Sequence, residues 1–295
     1  MGLKYEGIKK GYPRLQRRFG RLAAYVVLTR PFTLVAPLFA GIFLTLAPVK
    51  EIGLQQVHYA VYVGVTLVLL QAAGQIVNQY VDADLDRVAK PYRPIPQGRV
   101  SREEAMGFAW LLALLAVARA FTVSLAFGLF SLLIMFSAVF YSLPPFSPRR
   151  VSPVLNLLWL SASRGLLPVM ACFTVYSTLE RALPYSALAF LIVLGWQGSK
   201  DVEDVEADRM YGVKTVANTY GLKALRVLAL ASTVLYVVGA LLLGKPLLLL
   251  LVPVFVFGLI YYAKRTGLTE NVVGWTVYYA SLALYFLLVF AEGRL

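Results

Sequence analysis

Residues 55–86 read QQVHYAVYVGVTLVLLQAAGQIVNQYVDADLD. The run over 55–80 is almost wholly apolar, and three aspartates, Asp82, Asp84 and Asp86, follow it. A helix rises about 1.5 Å per residue, so about 20 such residues cross the hydrocarbon core of a bilayer. The stretch is therefore predicted to be a membrane-spanning helix with carboxylates where it emerges. Asn78, Asp82 and Asp86 recur every fourth residue, which places them along one helix face.

The rest of the chain supports a lipid solvent. Of 295 residues, 59% are hydrophobic and 15% charged, with a mean hydropathy of +0.71. A soluble domain carries about 25% charged residues. That composition excludes a soluble globular enzyme, a disordered chain and a disulfide scaffold. The single cysteine, Cys172, lies in an apolar run and is expected to be a buried, inert thiol. Eight further segments read as spans: about 24–48, 104–119, 121–142, 153–174, 183–200, 222–243, 246–263 and 271–291. The expectation is an all-α, polytopic membrane protein of nine transmembrane helices, with a tight turn at Arg119–Ala120. No shift in composition marks a second domain, so 1–295 is read as one domain. Residues 1–23 form a basic segment suited to an anionic membrane surface.

Lys and Arg number 28 against 15 Asp and Glu, a net charge of +13. In so apolar a chain this balance points to membrane topology and not to nucleic acid. Twenty-two basic residues fall in one set of loops and five in the other. The positive-inside rule puts the N-terminus and the acid-bearing loops in the cytoplasm of a multi-pass cell-membrane protein.

Eight of the 15 acidic residues sit in two stretches at that face: Asp82, Asp84, Asp86, and Asp201, Glu203, Asp204, Glu206, Asp208. Asp201, Asp204 and Asp208 are spaced three and four and share a face. Crowded carboxylates repel unless a cation joins them. Oxygen ligands without Cys or His suit Mg²⁺, and His58 is the only histidine. Asp84, Glu203 and Glu206 are expected to be solvated or paired with Lys and Arg. The surrounding Arg87, Lys90, Arg93, Arg99, Lys200, Arg209 and Lys214 complete what a diphosphate requires: metal-holding carboxylates and neutralising cations.

NQYVDADLDRVAKPYRPIPQGRVS (78–101) resembles the first signature of the UbiA-type intramembrane prenyltransferases, and KDVEDVEADRMYGVKT (200–215) resembles the second. The resemblance covers nearly the whole chain. It implies a helical ring around a central cavity and a polyprenyl diphosphate, geranyl or longer, bound through two Mg²⁺ ions. On this sequence Asn78, Asp82 and Asp86 would serve one ion, and Asp204 and Asp208, with Asp201, the other. Asp82, Asp86, Asp204 and Asp208 would thereby carry catalysis, helping the diphosphate to leave an allylic carbon. Lys90, Arg93 and Lys200 would stabilise the leaving group. Gly98 and Gly212 read as turn residues. YSLPPFSPRR (141–150) resembles members that prenylate aromatic acceptors. Tyr141 would touch diphosphate or acceptor, Arg149 and Arg150 would cap the diphosphate, and Arg30 would lean toward it. Arg164, inside the fifth span, would receive an anionic acceptor group such as a benzoate carboxylate, or else pair with a carboxylate or backbone carbonyls.

The acceptor is read first as aromatic, such as 4-hydroxybenzoate in quinone synthesis. The alternative is geranylgeranylglyceryl phosphate in archaeal ether-lipid synthesis, because KDVEDVEAD looks most like the lipid enzymes. Lys90-Pro91 also departs from the Arg-Thr of the benzoate enzymes. From other classes, an ion-coupled transporter fits less well, since the acids gather at one face. A CDP-alcohol phosphotransferase would need an Asp-Gly-x-x-Ala-Arg segment that the sequence lacks.

Overall fold

The computed structural model describes residues 12–261 and 272–294, with side chains from Gly20 onward. Positions 1–11 of the basic N-terminal segment, and Lys264 and Arg265, lie outside the described residues. The fold is all-helical. In chain order it comprises α1 (Tyr12–Leu28), α2 (Val35–Phe39, continued by the π-helical turn Ala40–Leu44), α3 (Leu54–Val81), α4 (Ala83–Ala89), α5 (Arg102–Val123) and α6 (Leu125–Phe140). It continues with α7 (Pro153–Ser161, extended through the π-helical Ala162–Leu166 to Leu167–Phe173), α8 (Leu179–Trp196, ending as a 3₁₀ turn at Asp201) and α9 (Val205–Met210). Last come α10 (Val216–Leu242), α11 (Val252–Tyr261, entered through the 3₁₀ turn Pro246–Leu251) and α12 (Val272–Glu292).

Six of these helices are long and apolar enough to cross a membrane: α3, α5, α7, α8, α10 and α12. The first expected span is not straight. Gly20–Thr33 and Val35–Leu44 meet at 65°, and Arg30, with φ 54° and ψ 68°, stands at the break before Pro31. Leu125–Phe140 and Pro246–Tyr261 are shorter than the expected spans. The turn expected at Arg119–Ala120 falls later: α5 runs to Val123, and Ser124 then caps α6 by accepting from Phe127 N. The helix propensity of Arg and Ala at 119–120 carries the helix on.

The helices close a ring. α2 packs on α3, α3 on α5 and α6, α6 on α7, α7 on α8, α8 on α10 and α12, and α12 returns to α2. At one face Arg294 closes the circle by donating to the carbonyls of Leu46, Val49 and Lys50, which end the first span. Nearby, the Glu292 carboxylate accepts from Leu247 N at 2.8 Å. At the other face Arg21 pairs with Glu104, and Arg102 with Asp84. Side chains toward lipid are large and apolar, as on α5 and α6 (Leu111, Leu114, Leu129, Leu133), whereas inward positions of α5 are alanines that let helices approach closely. Cys172 is buried, as expected.

α2 and α3 approach each other closely. A Cβ on Gly41 would fall 2.2 Å from Gly64 Cα, a backbone atom that cannot step aside. Gly41→Ala should therefore lower the melting temperature of the purified protein. Gly107→Ala, on α5 with open space around it, should leave it unchanged or raise it, because Ala favours helix over Gly by about 1 kcal/mol. Equal melting temperatures for both variants would contradict the packing.

Candidate active site

The α3 ladder does not run unbroken through the first signature. It ends at Val81, Asp82 sits at the junction with φ −88° and ψ 10°, and α4 resumes at Ala83. The four-residue spacing survives the break. Asp82 N donates to Asn78 O at 2.9 Å, and Asp86 N to Asp82 O at 2.7 Å. In the second signature Asp201 ends a 3₁₀ turn and Asp204 caps α9, which bears Asp208. Asp208 N donates to Asp204 O at 2.8 Å. Gly98 and Gly212 have φ of 66° and 70°, the left-handed region that favours glycine, so both are turn residues as expected.

The two signatures meet in one cavity bounded by α3, α4, α6, α7, α8, α9 and α12. Asn78, Asp82, Asp86, Asp201, Asp204 and Asp208 all line it, with Arg30, Lys90, Arg93, Tyr141, Arg149, Arg164 and Lys200. Five carboxylates thus face six cations. Arg150 is exposed and lies outside the lining, as do Arg87, Arg99, Arg209 and Lys214. Asp84 faces outward and pairs with Arg87 and Arg102.

Most of these charges are matched. Arg149 grips Asp82 with two parallel bonds of 2.6 and 2.8 Å. Asn78 Nδ2 donates to the same carboxylate at 2.8 Å and to Ser142 Oγ at 3.2 Å. Arg93 reaches Asp86 at 2.6 Å, Lys90 reaches Asp204 at 2.5 Å, and Lys200 stands 3.3 Å from Asp201. Burial alone would raise the Asp82 pKa, but the Arg149 guanidinium brings it below the usual carboxylate range. At Asp86 burial outweighs Arg93 and Lys90 and the pKa rises. Asp208 is pushed up to about 8 by burial, then by the charges of Asp201 and Asp204.

Those carboxylates fit a hard divalent cation. Asp86 Oδ1 is buried without a hydrogen-bond partner, and crowding of Asp208 by two other carboxylates is relieved by added positive charge. The donor set is all oxygen, which suits Mg²⁺. Among the described residues no three acidic side chains already stand in a ready-made metal cage, because Arg149, Arg93 and Lys90 hold them.

Several polar residues in and around the cavity are not among the expected site residues. Ser142 supports Asn78. Gln75 Oε1 accepts from Arg30 at 3.3 Å, and Gln79 Nε2 donates to Leu28 O at 2.6 Å, tying the bent first span to α3. Trp275 on α12 lies 5.5 Å from the Arg30 guanidinium. These contacts join segments up to 245 positions apart, and only the fold reveals them. A second, largely apolar cavity lies between α2, α3, α6, α7 and α12 and shares Gln71, Ile134, Ser163 and Arg164 with the first.

A model of the UbiA prenyltransferase family matches residues 34–290. The digeranylgeranylglyceryl phosphate synthase of Methanoregula boonei is 34% identical over 215 residues, which is 71% of this chain and 72% of that one. The fold superposes on a UbiA homolog from Archaeoglobus fulgidus bound to GPP and Mg²⁺, with a TM-score of 0.68 at 20% identity over 92% of this chain and 98% of the other. A structure described for digeranylgeranylglyceryl phosphate synthase gives a TM-score of 0.67 at 18% identity, over 93% and 99%. At such identities the structural likeness speaks for the fold, an integral multi-pass membrane architecture. The family match runs from the first span to the last and encloses both acidic signatures, so the chain belongs to the UbiA prenyltransferase family and is a membrane prenyltransferase.

Proposed function

We propose that this prenyltransferase transfers a geranylgeranyl group from geranylgeranyl diphosphate to geranylgeranylglyceryl phosphate, an ether-lipid reaction. The observation that carries the proposal is the 34% identity, over nearly three quarters of both chains, to a synthase named for that product. The aromatic acceptor, read first from the sequence, gives way to this alternative. Its support was the 141–150 segment and Arg164. Tyr141 OH stands 3.4 Å from Lys200 Nζ, and the ring lies 5.5 Å from the Arg149 guanidinium. That places Tyr141 among the diphosphate cations, where it serves either acceptor class.

In this reading 1–295 acts as one domain, with the N-terminus and the site on the cytoplasmic side, as the 22-to-5 loop bias supports. Asn78, Asp82 and Asp86 hold one Mg²⁺, and Asp204 and Asp208, with Asp201, hold a second. Bound there, Mg²⁺ neutralises the diphosphate and makes it a better leaving group. With all five carboxylates ionised, as metal binding requires, the six cations leave one surplus positive charge, too little for a diphosphate when a single phosphate already carries about −1.5 to −2.

The chain's own side chains do the rest. Lys90, Arg93, Arg149 and Lys200 take the phosphate oxygens, with Arg30 at the rim. Arg150 keeps to the surface. As the allylic C–O bond breaks, its electron pair passes to the diphosphate, and these cations stabilise the charge that develops. The acceptor hydroxyl oxygen bonds to the allylic carbon and its proton passes to the diphosphate side of the cavity. Leu70, Leu85, Ile134 and Leu160 wall that space against water, which would otherwise trap the carbocation-like group.

Purified protein, Mg²⁺ and labelled geranylgeranyl diphosphate, offered both acceptors, should label the glyceryl phosphate lipid. Label on 4-hydroxybenzoate alone would overturn the assignment. Neighbouring arginines give a second check. Arg149→Ala should raise the KM for diphosphate about 10- to 100-fold, the worth of a charge-assisted pair. Arg150→Ala should leave it within about twofold. Equal effects would refute the placement of the diphosphate.

A further inference from the structure

Four of the six cations around the main cavity have a carboxylate partner: Lys90, Arg93, Arg149 and Lys200. Arg164 does not. Among the described residues its guanidinium donates to Gln197 Oε1 at 3.3 Å, with Tyr278 within hydrogen-bonding reach. Both partners are neutral. A cation in the middle of a span is costly unless an anion joins it. Among the described residues no carboxylate is paired with Arg164.

The backbone is shaped to hold the side chain there. Arg164 sits on the π-helical turn Ala162–Leu166, a rare widening of a helix found mostly at functional sites. Gly165 presses the turn onto α8 so closely that a Cβ would come 2.7 Å from Ala189 O. Ser163 and Arg164 line both cavities, and Gln71 and Ile134 complete the neck between them. On one side of the neck lie the carboxylates and diphosphate cations. On the other the walls are apolar, among them Leu67, Leu282 and Phe286.

We propose that Arg164 anchors the phosphate of the acceptor lipid at this neck, with the acceptor's isoprenoid arm in the apolar cavity. The proposal rests on the glyceryl phosphate reading above. It makes Arg164 a specificity-determining residue: it selects an acceptor with an anionic head, while the carboxylates and their cations manage the diphosphate. Arg164 takes no part in bond breaking.

The test uses wild type, Arg164→Leu and Arg164→Lys in detergent. Each receives geranylgeranyl diphosphate with geranylgeranylglyceryl phosphate or with phosphate-free geranylgeranylglycerol. Arg164→Leu should raise the KM for the glyceryl phosphate about 10- to 100-fold while the KM for diphosphate stays within about twofold. Arg164→Lys should fall between, since it keeps a charge without the fork. On geranylgeranylglycerol, Arg164→Leu should perform no worse than wild type. Without ligand, Arg164→Leu should melt within about 2 °C of wild type or higher, because an unmatched buried charge is removed. A wild type inactive on the glyceryl phosphate would defeat the proposed function and the anchor with it. Wild-type activity, with both KM values raised equally in Arg164→Leu, or with the phosphate-free acceptor equally impaired, would overturn the anchor alone. A large drop in melting temperature would likewise assign Arg164 to the scaffold.

Discussion

Burying charge is expensive unless it is matched, and the architecture of this protein turns on that constraint. Five carboxylates and six cations face one cavity at the end of a helical ring. The matching is made between distant segments. Lys90 of the first signature holds Asp204 of the second, 114 positions away, and Arg149 from the loop after α6 clamps Asp82. Arg149 O also accepts from Lys214 N, in the second signature, at 2.6 Å. The Lys90–Asp204 pair ties the two signatures directly to each other, and Arg149 bridges them through its side chain and its carbonyl. The same pairs hold Asp82, Asp86, Asp201 and Asp204 in one cavity.

The apolar frame exists to hold that site at the membrane boundary. Large side chains face lipid, and small ones bring helices together where backbones must approach, as at Gly41 and Gly64. Two departures from regular helix bear on function. The bend at Arg30 swings the first span so that Arg30 reaches Gln75 and lies over Phe32 and Trp275. The π-helical turn in α7 presents Arg164 at the junction of the polar and apolar cavities. An amphiphilic substrate can place its head and tail in one continuous space of that kind.

Much of this was legible in the sequence because the signals were physical. Apolar runs of spanning length located the helices, and carboxylates at helical spacing located the site. What the linear pattern could not carry were features set by tertiary contact. The 65° bend at Arg30 and the helix break at Asp82 leave the hydropathy unchanged. Past the point where α5 is expected to turn, the Arg119 side chain lies on Tyr62, 3.6 Å from the ring, and donates to Tyr62 O, contacts that only the fold reveals. Arg149 and Arg150 are adjacent and chemically alike, yet one is buried against Asp82 and the other exposed, a difference decided by the one-turn helix Pro148–Val151. Gln75 lies outside the motifs, and Ser142 and Gln79 occupy motif positions to which the pattern assigns no role.

The account stands on the two acidic signatures forming a single diphosphate site. Its most direct test is the Mg²⁺-dependent binding of a non-reactive geranylgeranyl diphosphate analogue, measured calorimetrically for wild type, Asp82→Asn and Asp204→Asn. A shared site requires that either substitution abolish Mg²⁺-dependent binding while the proteins remain folded. Wild-type affinity retained in either variant would contradict it.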